Sequence, residues 1–283
     1  MRKAKINYLI AAVIGLIIAC IALFPLFWMA ISGFKSASEV LSIPFRFFPK
    51  KFNFENYTSL LKGTIDTTIF PRGASFIRSM GLTFLVSSIA VIGSITINSM
   101  AGYVFARLEF PCKKILWMIC LIPWFVPGIS TYITSFTVVS KLGMIDKLSV
   151  LILPGLAHSY SVFYYRQYYL GIPNELEEAA KVDGAGIFKI YQRIFLPMSK
   201  TPFTIMGISV FLGFWSSFLW PVLTVNNPKL YQINQLISYF KSSYNQNVQY
   251  VLAASTIAAL PTIILFLLFQ KQIMQGIKIS GIK

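Results

Sequence analysis

Residues able to do chemistry are few in this chain. The sole histidine, His158, stands beside Ser159 and Tyr160 within an apolar stretch. An imidazole next to a hydroxyl has the parts of a base and a nucleophile, but no Ser-His-Asp set with plausible partners accompanies it. Cys20, Cys112 and Cys120 have neither metal-site spacing nor the even number of a disulfide framework, so packing is expected of them. No G-x-x-x-x-G-K-[ST] run is present to cradle phosphate, and no H-E-x-x-H to hold zinc. No metal site and no catalytic residue is therefore expected. A lone histidine in a span is read as a helix–helix hydrogen-bonding residue, with pathway lining as the functional alternative.

The richest polar patterning lies between residues 169 and 202. Asn174 suits a helix N-cap, and Glu175, Glu177 and Glu178 complement a positive helix end. Gly184 and Gly186 then stop or bend the helix. Ile187, Ile190 and Ile194 recur at helical spacing, and Pro197 and Pro202 mark entry into the next apolar block. A compact helix–turn–helix is expected, with a small Ala179-Ala180 patch and a glycine corner. Small residues permit the close backbone approach that a helix docking into a groove on another protein requires.

These residues sit on an apolar scaffold. Of 283 residues, 56% are hydrophobic and 12% charged, about half the charged share of a soluble domain. Six blocks reach or approach the roughly 20 residues that cross a ~30 Å hydrocarbon core: 8–31, 79–105, 115–139, 148–168, 203–225 and 250–270. The fourth is interrupted by Pro154, Gly155 and His158. The blocks are long and do not alternate, which favours helices over barrel strands. An all-α integral membrane protein of six transmembrane helices is expected, the whole of residues 1–283 forming one transmembrane domain with a C-terminal tail at 271–283.

The net charge of +16 is scattered between spans and makes no single basic face, so no nucleic acid is expected. It follows the positive-inside rule instead. Arg2, Lys3 and Lys5 precede the first block; Arg107, Lys113 and Lys114 crowd the second connection; Arg166, Lys181, Lys189, Arg193 and Lys200 fill the fourth. The third and fifth hold only Lys141, Lys147, Lys229 and Lys241. Both termini are expected in the cytoplasm. Phe24-Pro25-Leu26-Phe27-Trp28 continues the first apolar run where a signal peptide needs a small-residue cleavage site, so that block reads as an uncleaved span. No acidic residue lies centrally in a block, which disfavours a proton- or sodium-coupled carrier.

The connection 169–202 carries Glu178-Ala179-Ala180, Asp183-Gly184-Ala185 and Ile194-Phe195-Leu196-Pro197. It resembles the signature loop of permease subunits of binding-protein-dependent ATP-binding-cassette importers: E-A-A, two residues, D-G-A, eight residues, I-x-L-P. Ala101 to Pro111, Phe34-Lys35-Ser36 through Glu55-Asn56-Tyr57, and Ser140 to Asp146 resemble the carbohydrate branch. The tail from Phe269 resembles that of the smaller six-span permease of maltose-type systems. It departs at Ile277-Lys278-Ile279-Ser280, where that tail commonly has consecutive small residues. The resemblance implies a type I importer permease fold with a cytoplasmic coupling helix, in a bacterial or archaeal cytoplasmic membrane. It implies a second permease, two ATP-binding subunits that hold ATP and magnesium, an extracytoplasmic solute-binding protein and a sugar substrate. This chain itself is expected to carry no cofactor and no ATPase.

The resemblance assigns ATPase coupling to Glu178, Ala179, Ala180, Asp183, Gly184, Ala185 and Gly186. It assigns binding-protein docking to Asn226, Asn227 and Pro228, in a polar, amide-rich fifth connection running to Tyr244-Asn245-Gln246-Asn247. Amide, hydroxyl and aromatic groups suit a neutral polyol, so Asn98, Trp124, Tyr132, His158, Ser159, Trp215 and Trp220 are pathway candidates, and no residue is assigned to substrate. A secondary carrier or channel acting without an ATPase is the competing class, and a membrane-embedded enzyme lacking any catalytic constellation comes third.

Overall fold

The computed structural model describes residues 2–65, 71–242 and 247–280, and among these there are helices and turns but no strand. Long apolar runs demand this, because a backbone in lipid must satisfy its own hydrogen bonds. In chain order the helices begin with α1 (Arg2–Ser32), α2 (Glu55–Lys62), α3 (Phe76–Arg107), α4 (Lys113–Leu121) and α5 (Gly128–Lys141). There follow α6 (Leu148–Ile152), α7 (Ser159–Leu170), α8 (Asn174–Val182) and α9 (Ile187–Met198). The last four are α10 (Lys200–Trp215), α11 (Leu219–Thr224), α12 (Ile233–Ser242) and α13 (Val248–Ser280).

Three stretches, Leu9–Ser32, Phe76–Arg107 and Val248–Gln272, are each long and apolar enough to cross a bilayer in one piece. They lie on the sequence blocks 8–31, 79–105 and 250–270. The other three blocks are broken, two of them at proline or glycine and the third at Ser216-Ser217-Phe218. Block 115–139 lies on α4 and α5, and a 110° bend falls between Phe125 and Gly128. Pro123 and Pro127 flank it, and neither has an N–H to continue a helix. Block 148–168 is divided between α6 and α7 by a 3-10 turn at Leu153–Gly155. Block 203–225 lies on α10 and α11, with α10 ending at Trp215, and α9 meets α10 at 78°.

The helices form two compact units. In the first, residues 1–77 with 236–261, the chain leaving α1 is pinned by α2. Asn56 Nδ2 donates to the carbonyls of Gly33 and Lys35, both at 2.8 Å, and Tyr57 Oη to that of Ala30 at 2.8 Å. Lys35 is 1% exposed; its Nζ donates to Arg46 O at 2.7 Å and lies over the Trp28 and Phe45 rings. Burial lowers its pKa below the ordinary lysine value, and Glu39 opposes that shift. The Lys35 and Asn56-Tyr57 positions singled out by resemblance thus act in tying this connection down.

In the second unit, residues 78–235 with 262–283, α3 and α7 touch backbone to backbone. A Cβ on Gly102 would lie 2.6 Å from Tyr165 Cβ and 3.0 Å from Arg166 N, distances no packed pair tolerates. Arg166 uses the closeness: its Nε donates to Phe105 O at 3.2 Å and its guanidinium stacks 4.4 Å from the Trp117 ring. Further up α3 a Cβ on Gly81 meets nothing within 4 Å. Gly102→Ala is expected to cost about 1–3 kcal/mol by overpacking, whereas Gly81→Ala is expected to be neutral or to gain about 0.5–1 kcal/mol. Thermal unfolding of the two purified variants in one detergent checks the opposite signs.

Candidate functional site

The signature residues fold as a capped helix and a sharp corner. The N-cap position of α8 falls on Pro173, one residue before the expected Asn174, whose side chain is engaged elsewhere. At the other end Gly184 N donates to Lys181 O at 3.0 Å and Ala185 N to Ala180 O at 2.9 Å. With Gly184 at φ +73°, these two bonds make a Schellman cap, which needs a left-handed residue and so favours glycine. Gly186 differs from expectation: at φ −72° and ψ 163° it is ordinary extended backbone, and its carbonyl starts α9. Only Gly184 is conformationally required.

Ala180 and Ala185 close the cap inward, against a core that includes Tyr103, Tyr169, Ile190 and Phe195. Glu177 stands in the first turn of α8, as expected of a helix-end charge; it is buried and pairs with Lys181 at 2.9 Å. Glu178, Ala179, Asp183, Gly184 and Gly186 face outward. Beside them Val182 is 88% exposed, with Ile187 and Phe188 exposed on the same corner. The seven signature positions therefore divide into two that pack and five that are presented.

Arg107, the last residue of α3, locks this corner to the bundle. Its guanidinium donates to Tyr169 O at 2.5 Å, to Ile172 O and to Asn174 Oδ1, and lies 5.1 Å from the Phe195 ring centre. Two of these acceptors are carbonyls at the C-terminal end of α7, where a cation is favoured. The third is the first residue of α8. One side chain thus ties α3, α7 and α8 together.

Of the isoleucine stripe, Ile190 is buried and Ile194 packs against the same core, while Ile187 is exposed; Tyr191 and Phe195 share the inner face. Residues Tyr191–Phe195 are a π-turn, which carries an extra residue per turn. Pro197 cannot donate to the Arg193 carbonyl, which favours the wider turn. On the inner face Tyr191 Oη meets Ser99 Oγ on α3 at 2.7 Å, while Ser199 Oγ donates to Tyr169 Oη at 3.3 Å. Burial pushes the Tyr169 and Tyr191 phenols above the ordinary tyrosine range, so they remain neutral hydrogen-bonding groups.

At the opposite end of the same unit lie Asn226, Asn227 and Pro228. Asp146 Oδ1 accepts from Asn226 N at 2.6 Å and from Asn227 N at 2.8 Å, and Asp146 N donates to Thr224 O at 3.1 Å. Asn227 Oδ1 caps the next turn through Lys229 N. The two asparagine side chains are exposed on a fixed backbone. Tyr244, Asn245 and Gln246, at the far end of this connection, lie outside the described residues, as do Gly281, Ile282 and Lys283 of the tail.

Between the two ends an open cavity of about 610 Å³ is lined by Tyr132, His158 and Trp220, among others. The other pathway candidates do not line it. Asn98 is fully buried and repairs the α6–α7 break, donating to Leu156 O at 2.9 Å and accepting from His158 N at 3.1 Å. Trp124 packs on Tyr160 and Phe163, and Trp215 on Phe211.

A family model described as "Binding-protein-dependent transport system inner membrane component" matches residues 4–279. The chain belongs to that family. It is accordingly a membrane permease of a binding-protein-dependent transport system, and its helices are those of the type I importer permease fold. The chain is 30% identical over 270 residues to the arabinooligosaccharides transport system permease protein AraQ of Bacillus subtilis (strain 168), covering 95% of this chain and 93% of that one. It is 27% identical over 281 residues to the sn-glycerol-3-phosphate transport system permease protein UgpE of Rhizobium meliloti (strain 1021), covering 98% of each. A chain of a bacterial ABC transporter involved in the import of the acidic polysaccharide alginate superposes with a TM-score of 0.76, at 19% identity, over 96% of this chain and 98% of that one.

Arg107, Ser99, Tyr169 and Tyr191 of this permease were not singled out as site residues from the sequence; Arg107 had counted as charge bias and as part of the Ala101 to Pro111 resemblance. A cation at the last turn of a span, five residues after a glycine, was the available signal. Arg107→Ala is expected to release about 1.5–3 kcal/mol of charge-assisted hydrogen bonding. Amide hydrogen exchange across residues 172–186 then speeds up about ten- to a hundredfold, with α3 itself unchanged.

Proposed function

We propose that this chain is one of two permease subunits of an ATP-driven importer for carbohydrate, fed by an extracytoplasmic binding protein. The corner at Glu178–Gly186 is the part that ATP hydrolysis drives. The observation that carries this is Val182, an apolar side chain 88% exposed at the tip of a corner whose backbone is fixed by a Schellman cap and by Arg107. A rigid, solvent-presented apolar tip is what a partner's groove recognises.

The partner is a pair of ATP-hydrolysing subunits holding ATP and magnesium in the cytoplasm, where the basic second and fourth connections place this face and both termini. Closure of the ATPase pair displaces α8. Because Arg107 ties α8 to α3 and α7, the displacement passes to the spans instead of being absorbed at the loop, and the bundle rocks between inward- and outward-facing states. The binding protein docks from the other side, on the exposed amides of Asn226 and Asn227 and on Pro228. Sugar as cargo is supported by the arabinooligosaccharide relative and by the resemblance of several segments to the carbohydrate branch.

In the reconstituted complex, Val182→Asp is expected to leave this subunit folded and inserted. It is expected to weaken ATPase association at least tenfold and to abolish ATP-dependent uptake. Uptake at the wild-type rate, or uptake driven by an ion gradient without ATP, rejects the coupling role. Deleting residues 226–229 is expected to abolish the binding-protein stimulation of ATP hydrolysis with assembly intact; full stimulation after the deletion leaves that loop a connector only.

A further inference from the structure

The cavity in the second unit is walled by the ends of broken helices. Gly128 opens α5 just after the 110° bend, Gly155 and His158 flank the α6–α7 break, and Ser217 follows the end of α10. Backbone interrupted within an apolar span is tolerated where it is buried in protein or lines a wet cavity, and such interruptions mark binding sites in transporters. Three separate breaks converge here.

The lining chemistry is equally specific. Thr131, Ser135, Ser161, Ser209, Ser217 and Gln232 bring hydroxyls and an amide to it. Among the described residues, no Asp, Glu, Lys or Arg lines it. Trp220 has its Nε1 bonded to Val150 O at 2.9 Å, and its ring stands 5.9 Å from that of Tyr132. With the nitrogen engaged, the indole is positioned as an apolar platform. The volume of about 610 Å³ falls within the ~300–1,000 Å³ of small-ligand sites.

We infer that this cavity is a substrate site contributed by this subunit itself, and that it takes a neutral oligosaccharide in preference to a phosphorylated or carboxylated sugar. Hydroxyl-rich walls exchange hydrogen bonds with sugar hydroxyls, and aromatic faces stack on the apolar face of a pyranose or furanose ring. An anion removed from water into this lining loses several kcal/mol of hydration with no Lys or Arg to offset it, His158 being the one lining side chain able to take up a proton. The α5 and α7 N-termini near the cavity offer about half a charge each, and no Lys or Arg side chain in the lining reinforces them toward a phosphate. The inference rests on the importer reading above, and it separates the two kinds of cargo named for the relatives: arabinooligosaccharides and sn-glycerol-3-phosphate.

The test uses the full complex with its binding protein in proteoliposomes, offered arabinotriose and maltotriose as neutral probes, and sn-glycerol-3-phosphate and an alginate trisaccharide as anionic ones. Gly213 lines the cavity, and a Cβ there meets nothing within 4 Å, so Gly213→Leu adds volume to the cavity without a backbone clash. Ser209→Leu does the same from the next turn of α10. The expected result is ATP-dependent entry of a neutral probe, exclusion of both anions, and at least tenfold slower neutral uptake in both variants with subunit assembly unchanged. Entry of an anion without a neutral sugar, or neutral uptake within twofold of wild type in both variants, overturns the inference while leaving the importer intact. ATP-independent behaviour toward every probe instead sinks the importer reading. A third arm places cysteine at Ser135 in a background lacking Cys20, Cys112 and Cys120. Labelling by a charged thiosulfonate, slowed by the neutral probe, supports a site. No labelling means that the second permease fills the cavity, and the inference fails.

Discussion

A single guanidinium at the end of α3 sets the geometry on which the corner proposed for coupling depends. The C-terminal carbonyls of a helix lack intrahelical donors, and α7 ends where the chain must turn at once into α8. Arg107 supplies donors to Tyr169 O, Ile172 O and Asn174 Oδ1 together. Lysine has one compact charge and cannot span three acceptors on two elements with a planar fork. The Gly102 contact, 2.6 Å from Tyr165 Cβ to a notional Cβ, brings α3 close enough for this fork to reach. Small residue and cation therefore belong to one arrangement.

The corner that results is stiff where it is held and apolar where it is presented. Ala180 and Ala185 face the aromatic core, and the Schellman bonds at Gly184 stop α8 from fraying. Tyr191 and Ser199 carry the restraint through the π-turn into α10. As the proposed lever, it would transmit displacement because its attachment is distributed over several helices. At the far end of α3, roughly 36 Å away at 1.5 Å per residue, Thr83 Oγ1 accepts from Ile233 N at 2.9 Å. The same helix thus anchors the connection that follows Asn226 and Asn227.

Much of this was legible from residue types. The apolar blocks announced helices in lipid, and the interruption at Pro154-Gly155 foretold the break found there, whereas the bend beside Pro123 and Pro127 in block 115–139 went unread. Gly184 could be read as a helix stop because a left-handed cap has few alternatives to glycine. What escaped depends on distance in sequence. Arg107 lies 62 and 65 residues from its carbonyl acceptors, and its place five residues after a glycine hints at a close helix without naming a partner. The isoleucine spacing held for Ile190 and Ile194 but not for Ile187, which stands exposed at the first turn of α9. The cavity needs three breaks to converge, which no single stretch of sequence encodes. Asn98 stayed an open candidate for a related reason: a buried amide in a span suits a ligand or a broken backbone equally well, and here the backbone claims it.

Rigidity between α8 and the spans is the central physical claim, and it can be read directly. Spin labels at cysteines replacing Glu178 and Glu109, both exposed, report the distance between the corner and the end of α3. Measured by double electron–electron resonance, that distance is expected to stay unchanged when the assembled transporter passes from the nucleotide-free to the ATP-trapped state. A shift approaching one helical turn, about 5.4 Å, would contradict it: α8 would then slide on the bundle, and Arg107 would be a surface contact without a mechanical role.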